Sequence, residues 1–127
     1  IARYAVLLCY LGEPEKAMEQ IKRAMRIDPF CSDLVLETEG LCNFVSGEFE
    51  SAIASFKKMQ IETRTSLFYT AASLRKIGKS EDAKKVLKVA QTESGMENEK
   101  FVSSQLFQRE SDKSSLSGAL EEIQASL

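Results

Sequence analysis

The chain has 127 residues, 43% of them apolar, and it contains no histidine. Its 17 basic and 19 acidic residues leave a net charge of −2, so we expect neither nucleic acid, which needs a basic face, nor a polybasic contact with a membrane. Without histidine the commonest general base is missing, and no phosphate-binding glycine loop or nucleophile motif stands in its place. The composition therefore predicts no catalytic site, cofactor or metal in this chain.

The cysteines and the first apolar stretch indicate where in the cell the protein is expected to lie. Cys9, Cys31 and Cys42 are odd in number and widely spaced, which is typical of buried thiols in a reducing compartment, so a cytoplasmic location is expected. The stretch from Ile1 to Leu11 is apolar except for one arginine, but it is shorter than the roughly 20 residues of a membrane helix. Because the chain does not begin with Met, we expect it to be part of a longer protein.

One short pattern occurs three times along the chain. Gly12, Gly47 and Gly78 are each followed, after four intervening residues, by an alanine. The glycines are 35 and 31 residues apart, and each lies between two stretches with helical periodicity. The spacing predicts three antiparallel helical hairpins at about 1–29, 32–62 and 65–92. The shorter second interval predicts a shortened link around residues 60–65.

The residues after the hairpins, 96–127, form a C-terminal extension. A short helix is predicted from Asn98 to Leu106, with Phe101, Val102 and Leu106 on one face. The polar stretch over 108–115 that follows is predicted to be a loop or the start of a helix. A last amphipathic helix is indicated by apolar residues at helical spacing. They are Leu116, Ala119, Leu120, Ile123 and Leu127. We expect this helix to cap the last hairpin; the alternative is a helix that detaches and docks on a partner.

The repeated pattern resembles the tetratricopeptide repeat, whose unit is about 34 residues. The matching positions fall into four classes. They are the small residues Ala5, Gly40 and Ala71; the alanines Ala17, Ala52 and Ala83; the large apolar Ile21, Phe56 and Leu87; and Ala24, Met59 and Ala90, of which Met59 departs from the pattern. The proline that ends a unit is matched only by Pro29. The resemblance implies an all-α fold, an α-solenoid of about three hairpins over residues 1–95 with a C-terminal capping helix. The alternative is a helical bundle whose pattern arose by chance.

In that family the first helices of the repeats line a concave face that commonly binds peptides. The resemblance implies a protein or peptide partner at the corresponding positions. They are Val6, Tyr10, Glu37, Leu41, Phe44, Val45, Phe68, Tyr69, Ala72, Arg75 and Lys76. The clamp with which some members hold a terminal carboxylate is absent, because its places are taken by Ala2, Val6, Thr38, Thr65 and Tyr69. The alternative is that these side chains pack on neighbouring helices.

The extension is similar, more loosely, to the C-terminal regions of some bacterial nucleotide cyclases and transcription regulators. The residues that carry this resemblance are Phe107, Asp112, Leu116 and Leu120. It implies that the chain is the regulatory or scaffolding part of a larger bacterial signalling protein. Protein–protein interaction is thus the predicted function, without enzymatic activity in this fragment. The alternatives are a homodimerisation module, or the non-catalytic part of a nucleotide cyclase whose catalytic domain lies upstream.

The first helix is expected to be an edge for self-association. Residues 4–11 are apolar on every side of a helix, whereas a surface helix has a polar face. One side can pack on the following helices, and the other is predicted to seek a second molecule. A homodimer through Tyr4, Leu7 and Leu11 would close such a contact by two-fold symmetry.

Overall fold

The computed structural model describes residues 2–127, and within that range the fold is all-helical. The eight helices are α1 (Ala2–Tyr10), α2 (Pro14–Ile27), α3 (Asp33–Val45), α4 (Phe49–Lys57), α5 (Arg64–Lys76), α6 (Ser80–Ser94), α7 (Asn98–Ser104) and α8 (Glu110–Ala125). The prediction of an all-α fold is confirmed. None of the helices in the described part is long and apolar enough to cross a membrane.

Three helix pairs, α1/α2, α3/α4 and α5/α6, are joined by turns of the same geometry. In each turn a glycine has a positive φ, 80° at Gly12 and Gly47 and 84° at Gly78. Each glycine N–H donates to the carbonyl three residues back, and the next N–H donates to the carbonyl five residues back. This is the hydrogen-bond pattern of a Schellman C-cap, which glycine favours because it has no Cβ. The repeated sequence pattern therefore corresponds to a repeated turn.

The alanine that follows each turn is fully buried at Ala17, Ala52 and Ala83. Its N–H donates to the carbonyl four residues earlier, at the last residue of the turn, so the same backbone frame opens each second helix. A buried methyl group at this position lets the two helices of a pair approach closely. The Gly-to-Ala spacing is thus a packing signal as well as a turn signal.

The difference between the two repeat intervals comes from a helix and not from a loop. Helix α4 has 9 residues, whereas α2 has 14 and α6 has 15. The connection from α4 to α5 spans residues 58–63 and is slightly longer than the connection over 28–32. The prediction of a shortened link around residues 60–65 was therefore wrong. Asp33 orders the longer connection, because its carboxylate accepts hydrogen bonds from the N–H groups of Gln60 (2.9 Å) and Ile61 (3.0 Å).

The pairs pack in chain order, α2 against α3 and α4 against α5, and the first helices also contact one another, α1 against α3 and α3 against α5. Helix α8 lies against both α5 and α6, and α7 packs on α8. Leu116, Leu120 and Ile123 anchor α8 in the core with at most 1% of their surface exposed. The last helix thus covers the third pair.

The C-terminal extension differs from its prediction at the end of α7. Helix α7 ends at Ser104, and Leu106, which was expected on its buried face, is 69% exposed. Helix α8 begins at Glu110, so of the two readings of the polar stretch over 108–115, a loop or the start of a helix, the helix start is the one observed. Acidic residues in its first turn, Glu110 and Asp112, favour a helix there because of the macrodipole.

Candidate protein-binding face

The predicted binding positions lie on the first helices α1, α3 and α5, and we call this surface the first-helix face. Five of the eleven side chains are buried within the chain, namely Leu41, Phe44, Phe68, Tyr69 and Ala72. Five others are partly exposed, namely Val6, Tyr10, Glu37, Val45 and Arg75, and Lys76 is exposed. The face is therefore part core and part surface, and much of its cover comes from the C-terminal extension.

The segment 105–109 between α7 and α8, which we call the tail strand, crosses this face in an irregular conformation. Its two ends have extended backbone, with φ −87° and ψ 134° at Gln105 and φ −85° and ψ 126° at Arg109. The Gln105 side-chain oxygen accepts hydrogen bonds from the hydroxyls of Tyr10 (3.0 Å) and Tyr69 (2.7 Å). One tail oxygen therefore joins two helices, α1 and α5.

Further contacts hold the tail strand along α1. The Gln108 N–H donates to the carbonyl oxygen of Tyr10 at 2.8 Å, and the Phe107 ring meets the Tyr10 ring edge-to-face with centroids 5.1 Å apart. Edge-to-face pairs of this kind favour a specific geometry beyond the area they bury. The tail strand is thus held by main-chain, carboxamide and aromatic contacts at once.

An aromatic cluster continues the face beneath the tail. Tyr69 lies edge-to-face with Phe44 (5.1 Å between centroids) and with Phe101 (5.7 Å), and Phe101 stacks on Phe68 at 4.2 Å. Phe68, Tyr69 and Phe101 have no exposed surface. This part of the face is buried core between α5 and α7, whereas the tail strand lies at its margin.

Two ion pairs lie along α8, one at its first turn and one near its C-terminal end. Arg109 holds Asp112 with both Nε (2.9 Å) and Nη2 (3.1 Å), and the pair lies above Gly12, where a Cβ would meet the Arg109 side chain. Further along, Arg75 pairs with Glu122 at 2.7 Å. The hydrogen bonds that Arg109 donates to Asp112 also raise the pKa of Arg109. Arg75 and Arg109 are therefore both paired with carboxylates of the chain.

Burial sets the acid–base behaviour of the two tyrosines. Desolvation is the main cause that raises the pKa of Tyr10, with smaller contributions from Cys9 and from the negative charge of Glu37. The pKa of Tyr69 is raised well above its ordinary value, again chiefly by desolvation, with Asp112 among the smaller causes. Both hydroxyls stay protonated at neutral pH and act as donors to Gln105.

Cys9 on α1 and Cys42 on α3 are free thiols that contact each other in the core, each with no exposed surface. The hydrogen bond between them and burial together raise the pKa of Cys9 far above its ordinary value. Neither thiol is positioned for chemistry with solvent. Within residues 2–127, no group of three or more His, Cys, Asp or Glu side chains is arranged to hold a metal ion.

The predicted self-association edge lies on the outer side of α1. Tyr4, Leu7 and Leu11 are 55%, 53% and 45% exposed, while Ala5, Leu8 and Cys9 on the other side are buried. Helix α1 is therefore apolar on its solvent side as well as on its packed side. The three residues form an apolar strip, which we call the α1 edge.

The tail residues that contact the face were not identified as site residues from the sequence. Phe107 and Asp112 were noted only for a loose family resemblance, and Gln105 and Arg109 carried no motif. An aromatic between two glutamines in a polar stretch was the one signal that could have indicated a contact.

Comparison of the chain with protein-family models, with curated proteins and with solved structures finds no match.

Proposed function

We propose that the chain is a protein-interaction module of the tetratricopeptide-repeat type, an α-solenoid of three antiparallel hairpins with α8 as its C-terminal cap. Its partner is a protein or peptide that binds the first-helix face. In this proposal residues 1–95 form the repeats, and the module is the regulatory part of a larger cytoplasmic signalling protein. Its free cysteines fit a reducing compartment.

The repeat assignment is supported by backbone detail as well as by sequence. The same C-cap with the same glycine φ and the same two hydrogen bonds ends α1, α3 and α5. The small residues Ala5, Gly40 and Ala71 of the first helices are all buried, as the repeat register requires. A bundle with a chance pattern has no reason to repeat both features three times.

The observation that carries the binding function is the way in which the first-helix face holds the tail strand. An irregular, partly extended segment is bound by a main-chain hydrogen bond, by two tyrosine hydroxyls and by an aromatic pair. These are the contacts by which a protein surface recognises an extended peptide, with main-chain bonds for affinity and side-chain contacts for specificity. These contacts support an extended peptide as the ligand of the face.

Site-specific photo-crosslinking tests this function. A benzophenone amino acid is placed at Val6 or Val45, which are partly exposed on the face, and at the exposed Glu19 or Lys85 of the second helices as matched controls. In cells that produce the chain we expect one product, of the same mass, from both face positions and none from the controls. Equal products from all four positions, or none from the face, would contradict the proposal.

Self-association is a second candidate function, favoured by the exposed α1 edge. Tyr4 and Leu7 of α1 and Leu11, directly after its end, are each about half exposed, and contiguous apolar patches of this kind often mark contact sites. A symmetric pairing of two α1 helices would cover the strip on both molecules. The two candidates use different sides of α1, so one molecule can perform both.

A further inference from the structure

We propose that the peptide recognised by the first-helix face carries the sequence Gln-x-Phe, and that the chain's own Gln105, Leu106 and Phe107 occupy the site until such a peptide displaces them. The inference rests on the proposed binding function and specifies its ligand. In this proposal the tail strand competes with the external peptide for the same site, while the helices that form the site stay in place.

The first step concerns the carboxamide. Tyr10 and Tyr69 belong to different helices, and both direct their hydroxyls to one oxygen of Gln105. Tyr69 has no exposed surface, so its hydroxyl needs a protein or ligand acceptor. A ligand that replaces the tail strand must therefore supply an oxygen at the same place.

The second step concerns charge. The nitrogen of the Gln105 carboxamide donates to the Ser104 hydroxyl oxygen at 3.0 Å, and a carboxylate has no proton to donate there. Glu37 also lies on this face, and its negative charge is one of the smaller causes that raise the pKa of Tyr10. Arg75 is paired with Glu122 and Arg109 with Asp112, so neither arginine is free to pair with a carboxylate of the ligand. A neutral carboxamide is thus preferred to the carboxylate of an otherwise similar glutamate.

The third step concerns the two residues that follow. The Leu106 side chain is 69% exposed and contributes little to the contact, so its position accepts many residue types. Phe107 then places its ring edge-to-face with Tyr10, and the next N–H bonds to the carbonyl of Tyr10. The motif read by the face is therefore Gln, any residue, Phe.

The tail strand is also the part of the extension that can leave without unfolding the rest. Helix α7 is anchored by Phe101, which is fully buried against Phe68, and α8 by the buried Leu116 and Leu120. Between them, Ser104 and Leu106 are exposed, and so are Gln108 and Arg109. Because both ends are tethered, the internal segment competes at an effective concentration on the order of millimolar.

The experiment weakens the internal competitor in the whole chain and adds the motif as a separate peptide. The open variant carries Gln105→Ala and Phe107→Ala, and Leu106→Ala is the matched control in the same segment. The probe is a fluorescein-labelled peptide with the sequence of residues 103–111, SSQLFQRES. By fluorescence anisotropy we expect it to bind the open variant at least about tenfold more tightly than wild type or Leu106→Ala, because the tethered competitor has been removed.

Two altered peptides test the recognition itself. Replacing the probe's glutamine by glutamate, or its phenylalanine by alanine, should each weaken binding to the open variant by about tenfold, which corresponds to loss of one good contact. Circular dichroism tests whether each variant is folded. If the open variant is not, Gln105→Ala alone serves, since it removes only the acceptor.

The outcomes separate this inference from the proposed function. It is overturned if the probe binds the open and control chains equally, if the glutamine and glutamate peptides bind alike, or if a folded open variant binds nothing up to about 1 mM, the scale of the tethered competitor. If crosslinking at Val6 and Val45 still yields one partner in those cases, the binding function stands and only its ligand motif is wrong. If the face yields no partner either, both fall.

Discussion

Gly40 provides the sharpest test of how the helices cross. It lies in α3, and a Cβ added there would be 2.5 Å from Cζ and 2.8 Å from Cδ1 of Phe56 in α4. Carbon atoms at ordinary contact are about 3.5–4.0 Å apart, so the ring would have to move by about 1 Å. It has little room, because Phe56 is only 5% exposed and its ring stacks near that of Tyr69, with ring centroids 6.5 Å apart.

The magnitude of Gly40→Ala follows from two opposing effects. Replacing glycine by alanine inside a helix is worth about 1 kcal/mol in favour of folding, whereas overpacking a filled core costs about 1–3 kcal/mol. We expect a net loss of stability of about 0–2 kcal/mol for Gly40→Ala, and a larger loss for Gly40→Leu. Gly118 in α8 is the matched control, since a Cβ there meets nothing within 4 Å, and Gly118→Ala should stabilise by up to about 1 kcal/mol.

The measurement is urea unfolding followed by helical circular dichroism. The two alanine variants should differ by about 1–3 kcal/mol, or by about 4 °C in Tm for each kcal/mol in a chain of this length. Adding Phe56→Leu should reduce the cost of Gly40→Ala, because a double-mutant cycle detects a direct contact. If Gly40→Ala stabilises as much as Gly118→Ala, the close crossing of α3 and α4, and with it the repeat register, is refuted.

Three further predictions concern the edge, the thiols and the tyrosines. By sedimentation the wild-type chain should form a dimer that Leu7→Glu dissociates; a monomeric wild type, or a folded variant that still dimerises, would count against the α1 edge. In the native chain at pH 8, Ellman's reagent should react rapidly with Cys31 alone, because Cys9 and Cys42 are buried and the pKa of Cys9 is raised; three fast thiols would contradict this packing. Burial raises the pKa of both face tyrosines above the ordinary 10.0, so the unfolded chain loses its protons first and stability should fall as pH rises above about 10. Tyr69→Phe should make that fall in the urea midpoint shallower, and an unchanged slope would show that this hydroxyl is not buried.

Local patterns predicted the helical frame well because each depended on a few neighbouring residues. A glycine that takes a positive φ and an alanine five positions later define both the turn and the packing that follows it, and all three copies lie at their predicted positions. The α4–α5 connection could not be predicted in the same way. The spacing shows that the second interval is four residues shorter, but not whether α4 or the loop after it is shortened. That depends on Asp33, which accepts hydrogen bonds from loop N–H groups 27 and 28 residues away along the chain.

The tail strand was beyond sequence reasoning for a related physical cause. Its decisive contact joins Tyr10 and Gln105 across 95 residues, and a glutamine in a polar stretch is ordinarily a solvated surface residue. Periodicity cannot indicate such a contact, since the strand is irregular and most of its residues stay exposed. The same exposure suits the segment to the role of competitor that we propose. Core residues would show an apolar pattern and could not leave without unfolding the chain. A segment held by three hydrogen bonds and one ring pair can be exchanged for a peptide that offers the same groups.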